Sequence, residues 1–462
     1  MVSLKKYIKT FLFGLLAGLS FPPLYLVIFL PLSFYYLLTK IENATSNKNA
    51  FSSGLIFGFG YFLVQLYWIS FSLLVDIKTY FWLIPFTISI IPLMCGAFIG
   101  LTTVMLYFLI KKFNIENRCI ITILFAILYV FFEYLRGLIF PWNLFSYIVG
   151  FSNILMQPVS IINIYFYDVI LVFLLCFVYV FFSYKDKKIT INKKYKNYVY
   201  IYFIIILMIV LFGFVRLQNA NNKNFNINVK LVQANIKQNL KWDKNEIKNN
   251  LQKHINLSKD DYSDIIIWSE SSIPYIANKN TKIDFINNKV LITGAVRGEF
   301  KDNKLNKIWN SIFIFKDGKV ENYYDKHILV PFGEYIPFSK YLPFVKKITN
   351  GNIDFSSGNM YNNIKIKDIN FNPIICYEIA FPNYVAKKSK KADIILNLTN
   401  DGWFGISSGP YQHLVASRFR AVENKIPVIR VSNSGITAYI DEYGRTVKKI
   451  NLNVEGVLDL KI

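Results

Sequence analysis

The chain changes character near residue 216. Before it, long apolar runs follow one another with short polar breaks, and after it the apolar stretches become brief and alternate with polar ones. A membrane-spanning helix needs about 20 mostly apolar residues. Seven candidate runs lie near residues 8–20, 24–39, 52–75, 80–110, 119–139, 161–184 and 198–216. The first two are short and separated by Pro22 and Pro23, so two spans are expected, with a re-entrant pair as the alternative. The fourth holds Pro85 and Pro92 and is expected to begin with an interfacial stretch. Apolar runs continue without a small-residue cleavage site, so no cleaved signal peptide is expected.

From about residue 226 the pattern predicts strands at Val229–Ala234, Asp264–Ser269, Val290–Val296, Ile308–Phe315, Pro373–Cys376, Asp393–Leu398 and Pro427–Val431. Several are unbroken apolar runs, as strands covered on both faces require. Amphipathic stretches at Asp243–Ser258 and His413–Asn424 predict helices between them. The expected organisation is a transmembrane α-helical bundle of about seven helices over residues 1–216, then an α/β domain over residues 217–462.

Composition narrows the picture. The chain has 462 residues, 53% of them hydrophobic, and a formal net charge of +23. That excludes a fully soluble or a disordered protein. Residues 1–216 carry 17 Lys/Arg against 6 Asp/Glu, and the remainder carries 35 against 23. The excess is spread over both halves and no reader motif accompanies it, so no nucleic-acid partner is expected. A basic surface facing anionic lipid headgroups fits better. The basic residues also set an orientation. With the N-terminus and its Lys5, Lys6 and Lys9 in the cytoplasm, Lys40, Lys48, Lys111, Lys112, Arg118, Lys185, Lys187, Lys188, Lys193, Lys194 and Lys196 fall on the cytoplasmic side, while the opposite connections hold little beyond Lys78 and Arg136. Seven crossings then deliver residues 217–462 to the outer side, the periplasm of a bacterium.

Four Cys make no disulfide scaffold, and three scattered His make no zinc-type cluster; neither metal nor cofactor is expected. Within the apolar half, Glu133 and Arg136 stand three apart on a helical run and can pair. They form either a polar spot near a headgroup or a structural ion pair at a helix end. Asp168 has no obvious local partner, and Cys95, Cys119 and Cys176 read as small core residues.

Candidate chemistry lies in the polar half. Cys376 is its one Cys and ends the run Asn372–Cys376, where a nucleophile can be held on a rigid element. A lone thiol in an oxidising compartment is either a free reactive group or a buried structural one. A thiol needs a base to become a thiolate, and a nearby cation favours that form. His254, His327 and His413 occupy no telling setting, whereas Glu270 ends the run Ile265–Glu270 and Lys326 sits in Tyr324-Asp325-Lys326-His327. A charged residue at a strand end more often caps or pairs than catalyses.

Taken together, Glu270 in Trp268-Ser269-Glu270-Ser271, Lys326 in Asp325-Lys326-His327 and Cys376 in Ile375-Cys376-Tyr377-Glu378 resemble the nitrilase, or carbon–nitrogen hydrolase, superfamily. With the membrane half added, the resemblance narrows to the apolipoprotein N-acyltransferase family. Supporting stretches are Val232–Trp242, Leu329–Glu334, Thr399–Gly405, Gln412-His413, Ser432–Ala438 and Glu133–Gly137 followed by Phe140-Pro141-Trp142. That family commonly adds a last transmembrane helix, whereas Ile462 is the last residue here, so retention is expected to rest on the first seven spans.

The resemblance implies a nitrilase-like α-β-β-α sandwich and acyl transfer in two halves. A membrane phospholipid would donate an acyl chain to Cys376 as a thioester, and the α-amine of a diacylglyceryl-cysteine at a lipoprotein N-terminus would accept it. Glu270 would move protons. Lys326 would favour the thiolate and stabilise the oxyanion. Glu334, Tyr377 and Glu378 would line the site, and Trp242 would border substrate entry, a position that also suits an interfacial aromatic anchor. A membrane-tethered amidase using water as acceptor shares the triad, and a non-catalytic transporter or receptor leaves the triad unexplained. Gly405-Ile406-Ser407-Ser408-Gly409 fits the Gly-x-Ser-x-Gly elbow, but no distant His follows, which argues against a serine hydrolase.

Overall fold

A computed structural model describes all residues except 1, 186–187, 222, 261, 286–288, 303, 338, 340–346, 348, 350–352 and 360–362. The fold divides into two compact units: Met1–Ser70 with Lys78–Ala220, and Phe71–Ile77 with Asn221–Ile462. Hydropathy alone does not reveal that Phe71–Ile77 groups with the second unit.

In the first unit the main helices are Val2–Gly18, Phe29–Glu42, Asn47–Leu66, Ile84–Lys112, Arg118–Gly137, Ile164–Leu175 and Tyr198–Gln218. Among the described residues, four helical segments are long and apolar enough to cross a membrane: Asn47–Lys112, Arg118–Gly137, Ile164–Phe181 and Tyr198–Gln218. Residues 67–83 wind in short turns before the helix Ile84–Lys112. Helices in lipid gain contact through small residues that let backbones approach. Asn47–Leu66 and Ile84–Lys112 do so at Gly58 and Gly96, where a Cβ on Gly58 would stand 2.6 Å from the Gly96 Cα. Tyr198–Gln218 buries only Tyr202 and Gly213. An apolar helix exposed on nearly every side has lipid as its natural solvent.

A small hairpin, β1 (Phe182–Lys185) with β2 (Lys188–Ile191), belongs to the same unit. The second unit holds β3 (Asn228–Gln233), β4 (Ile265–Trp268), β5 (Ile273–Ala277), β6 (Val290–Lys301), β7 (Lys304–Lys316), β8 (Lys319–Asp325), β9 (Ile364–Ile366), β10 (Ile369–Ile375), β11 (Ile394–Thr399), β12 (Val428–Ser432), β13 (Thr437–Ile440), β14 (Thr446–Ile450) and β15 (Gly456–Lys461). One sheet runs β15-β3-β4-β6-β7-β8, with β5 added beside β6, and the other runs β14-β13-β12-β11-β10-β9.

Period-two alternation assembles the layers. In β4, Ile265 and Ile267 join a core shared with Ile394, Leu396 and Leu398 of β11, so the two sheets face each other. Ile266 and Trp268 point the other way, against Leu251 and Ile255 of the helix Ile247–Leu257. Ile395 points outward from the second sheet into a cluster with Val385 and Ala421 of the helices Pro382–Ser389 and Gly409–Asn424. The order is helix, sheet, sheet, helix. The chain thus combines the expected α-β-β-α sandwich with a helical membrane region. The seven expected strands are present; β6 and β7 extend well past their apolar cores into a long hairpin, and β5, β8, β9, β13, β14 and β15 are additional.

Candidate active site

The site forms where strands of both sheets end. Cys376 follows β10 directly and opens a short 3-10 turn, Cys376–Ala380. Its φ of 48° lies in the left-handed region, where a side chain other than Gly is strained. Such strain persists only when the surroundings over-determine it. Glu378 supplies that constraint. Its fully buried carboxylate accepts from Ile375 N at 2.7 Å, His327 N at 2.8 Å, Ile328 N at 3.1 Å, Tyr324 Oη at 3.0 Å and Tyr384 Oη at 3.1 Å. One side chain thus ties the thiol turn to the segment that carries Lys326.

Lys326 follows β8, and its backbone N donates to Asn310 O at 2.8 Å. Its Nζ reaches both oxygens of Glu334, at 3.0 and 2.9 Å. Glu334 also accepts from Val330 N at 2.8 Å and from Asn310 Nδ2 at 2.8 Å. The same Asn310 Nδ2 donates to Glu270 Oε1 at 2.7 Å. Glu270 lies two residues past β4, and Ser271 beyond it has a φ of 50°. Gly294 in β6 lets this turn pack closely, since a Cβ there would collide with the backbone of Glu270 and Ser271. The structure therefore gathers Glu270, Lys326, Glu334 and Cys376 into one buried cluster, with Asn310 between the two carboxylates.

The electrostatics follow from burial. Burial pushes the Cys376 thiol up to about 12; the Glu270 charge adds to this, Lys326 opposes it, and the Thr399 hydroxyl hydrogen-bonds the sulfur. Burial also raises Glu270, with Lys326 opposing. Burial lowers Lys326, yet Glu334 and then Glu270 reverse the sign and hold it above the usual lysine range. Cys376 thus rests as the thiol and Lys326 as the ammonium. A carboxylate raised by burial is the stronger base for the thiol proton.

A second polar cluster supports Cys376 from behind. Asp401 accepts from Thr399 Oγ1 at 3.0 Å and Arg430 Nη2 at 2.6 Å, and it lies 2.9 Å from His413 Nδ1. The other ring nitrogen, Nε2, stands 3.1 Å from the Cys376 carbonyl oxygen. Burial favours the neutral form of Asp401, but Arg430 and then His413 outweigh it and bring the carboxyl to about 2. Ser407 donates to Phe404 O at 2.7 Å and accepts from Gly409 N at 3.1 Å, so it caps the Gly409–Asn424 helix and pairs with no His. His254 packs at a tilt against Trp268 at 4.8 Å, and His327 stacks on Tyr384 at 5.7 Å.

Tyr377 is buried edge-on to Phe381 at 5.0 Å, and Trp242 is half-buried in the turn before the helix Ile247–Leu257. Asn310 and Lys241 were not visible as site residues in the sequence. No group of three or more potential metal ligands occurs among the described residues.

Comparison with known proteins fits this geometry. A family model for carbon-nitrogen hydrolases matches residues 228–462, and one for the apolipoprotein N-acyltransferase N-terminal domain matches residues 13–178. Proteins named apolipoprotein N-acyltransferase from Rickettsia typhi and Rickettsia prowazekii are each 38% identical over 99% of this chain and 93% of their own. The chain belongs to the apolipoprotein N-acyltransferase family. A relative of that name from Rhodopseudomonas palustris is 31% identical over 98% of this chain and 89% of its own. The N-terminal model covers the membrane helices from residue 13 to 178, so those helices are part of what the family shares.

Proposed function

We propose that this membrane-bound acyltransferase moves an acyl chain from phospholipid to the N-terminal amine of a diacylglyceryl-cysteine, through a thioester on Cys376. The observation that carries this reading is the strained, buried Cys376 turn facing Glu270 and Lys326 in a chain with membrane-length apolar helices. A lipid substrate requires a nucleophile on a membrane-held scaffold, and tethering raises the local encounter rate.

Chemistry proceeds in two balanced halves. Glu270 takes the thiol proton, and the sulfur attacks an ester carbonyl of the phospholipid. The tetrahedral oxyanion collapses, the C–O bond breaks, and the lysophospholipid alkoxide leaves with the proton from Glu270. The acceptor amine then attacks the thioester and passes its proton to Glu270. The C–S bond breaks, and the thiolate recovers the proton. Lys326 and backbone N–H groups stabilise the oxyanion in both halves, a contribution worth about 100–1,000-fold per donor. Glu334 holds Lys326 in place. Tyr377 and Trp242 contact substrate, and Glu378 fixes the turn that presents the sulfur. The first unit crosses the bacterial inner membrane about seven times, and the second works on the periplasmic side.

Intact-mass measurement of the protein with phospholipid is the test. The expected result is an acyl adduct on Cys376, sensitive to hydroxylamine and discharged by a diacylated lipopeptide. A Cys376→Ala protein that still acylates the lipopeptide refutes the mechanism. Discharge by water at the same rate without lipopeptide identifies a hydrolase instead. Orientation is checked by thiol labelling at cysteines placed near Lys223 and Lys193, which should react only from outside and only from inside respectively.

A further inference from the structure

The thiolate needs a positive charge nearby, and Lys326 cannot supply all of it. Both oxygens of Glu334 lie within 3.0 Å of the Lys326 ammonium. That contact offsets part of the field at the sulfur, where Lys326 still favours the thiolate. Glu270 Oε1, meanwhile, accepts from the neutral amide of Asn310. Glu270, Glu334 and Lys326 together leave the cluster one negative charge in excess.

Lys241 corrects this imbalance. It lies just after the short turn Gln238–Leu240 and is only 4% exposed. Its Nζ donates to the backbone carbonyl of Glu270 at 2.7 Å. The segment that carries it is pinned on both sides: Asn400 Nδ2 donates to Gln238 Oε1 at 2.7 Å, and Asn250 Nδ2 donates to Leu240 O at 3.0 Å. Its neighbour Trp242 is turned outward to a half-buried position, so the pair splits its work between interior and rim. A lysine in this interior is costly unless its charge is used, because a desolvated ammonium loses several kcal/mol of hydration.

We propose that Lys241 is a positioning residue for the reaction at Cys376: it anchors the Glu270 turn and adds to the positive field of Lys326, which Glu334 partly offsets. The inference rests on the acyl-transfer reading of the site. The titratable groups facing Lys241 are Glu270, Cys376 and His254. Those facing the sulfur also include Lys326 and Asp401. Burial lowers Lys241 to about 8, with Glu270 and Cys376 opposing, so it carries its charge at neutral pH and loses it in mild alkali. His254, held down to about 4 by burial, is neutral in that range and does not compete.

The test uses the full chain in detergent, with iodoacetamide as the probe and peptide mass mapping to follow Cys376 apart from Cys95, Cys119 and Cys176. Alkylation is measured against pH for the native protein and for K241Q, K241M and K241R. Gln keeps a hydrogen-bond donor and removes the charge, Met removes both, and Arg keeps the charge. In K241Q and K241M the alkylation rate at pH 7, where Lys241 is charged, should fall about tenfold, the size expected when an opposite charge is removed from close range, and the gap to native should narrow in mild alkali, where Lys241 loses its charge. K241R should stay within about twofold of native. K241Q with the native profile would mean that the lysine acts only as a structural tether, and the proposal fails. K241R shifted as far as K241Q also overturns it. If K241M does not fold, K241Q and K241R still decide. The assay needs no phospholipid, so a missing acyl adduct on the native protein defeats the transfer reading separately.

Discussion

Each unit buries an ion pair, and the two pairs are built differently. In the membrane unit, Arg136 lies 3.5 Å from Glu133, but its strongest bonds go to the carbonyls of Phe140 and Trp142, both at 2.8 Å. Glu133 in turn accepts from Phe145 N at 3.0 Å. The pair closes on the backbone that follows its own helix, which is the structural role left open by the sequence. In the α/β unit, Lys326 and Glu334 contact each other directly and face Glu270 and a strained thiol. Equal burial therefore supports opposite purposes. One pair spends its shorter bonds on main chain and fixes a loop; the other leaves a base, a cation and a nucleophile gathered together.

The contrast can be broken or sharpened experimentally. Lys326→Met should have the largest effect: a loss of turnover of about 1,000-fold, together with a loss of roughly 3 kcal/mol as Glu334 is left buried and unpaired. Single-turnover rates and chemical denaturation measure the two parts. Glu270→Gln retains an acceptor for Asn310, so it should fold normally while adduct formation falls by about 100-fold or more. Arg136→Met should do the reverse. Stability falls by roughly 3 kcal/mol, yet the rate per folded molecule stays within a few-fold. Turnover lost at native stability would move Arg136 to the catalytic side of the comparison.

A smaller effect comes from acid. Asp401 is held at about 2 in the folded state, below the ordinary value near 4 of an unfolded Asp. Its contribution is thus complete above pH 4 and disappears as pH falls through 2, amounting to about 2–3 kcal/mol. Asp401→Asn should flatten the acid limb of the stability profile between those values. The smallest expected effect is Tyr384→Phe, which removes one of five donors to Glu378 and should cost about 1 kcal/mol.

Much of this was legible in the chain because buried strands write unbroken apolar runs. Ile265–Trp268 and Ile394–Leu398 are plain in the sequence, and a charged or sulfur-bearing residue at the end of such a run stands out, as Glu270 and Cys376 do. Asn310 did not, since a neutral amide within Ile308–Phe315 looks like any strand interior. Lys241 was hidden for the opposite reason: a lysine in a polar stretch looks solvated, and only the fold turns it inward. Asp401, His413 and Arg430 meet across 12 and 29 residues, a pairing that no local pattern encodes. The weakly apolar strands β13, β14 and β15 gain their order from neighbours already in place. Glu378 shows how a motif residue can be found correctly while its physical task, five bonds that lock a backbone turn, is visible only in three dimensions.

The clasp between β3 and β15 has a mechanical consequence. Ile227 and Ile462 exchange both backbone hydrogen bonds, at 2.9 and 3.0 Å, so these two points of the α/β unit lie at the same spot. Force applied between those two points would load the antiparallel ladder one rung at a time, like a zipper pulled from its open end, and the sheet should peel at low tension. A peptide linker joining the two points would need to bridge almost no distance, which makes a circular version of this unit, opened at some other loop, a practical object to build.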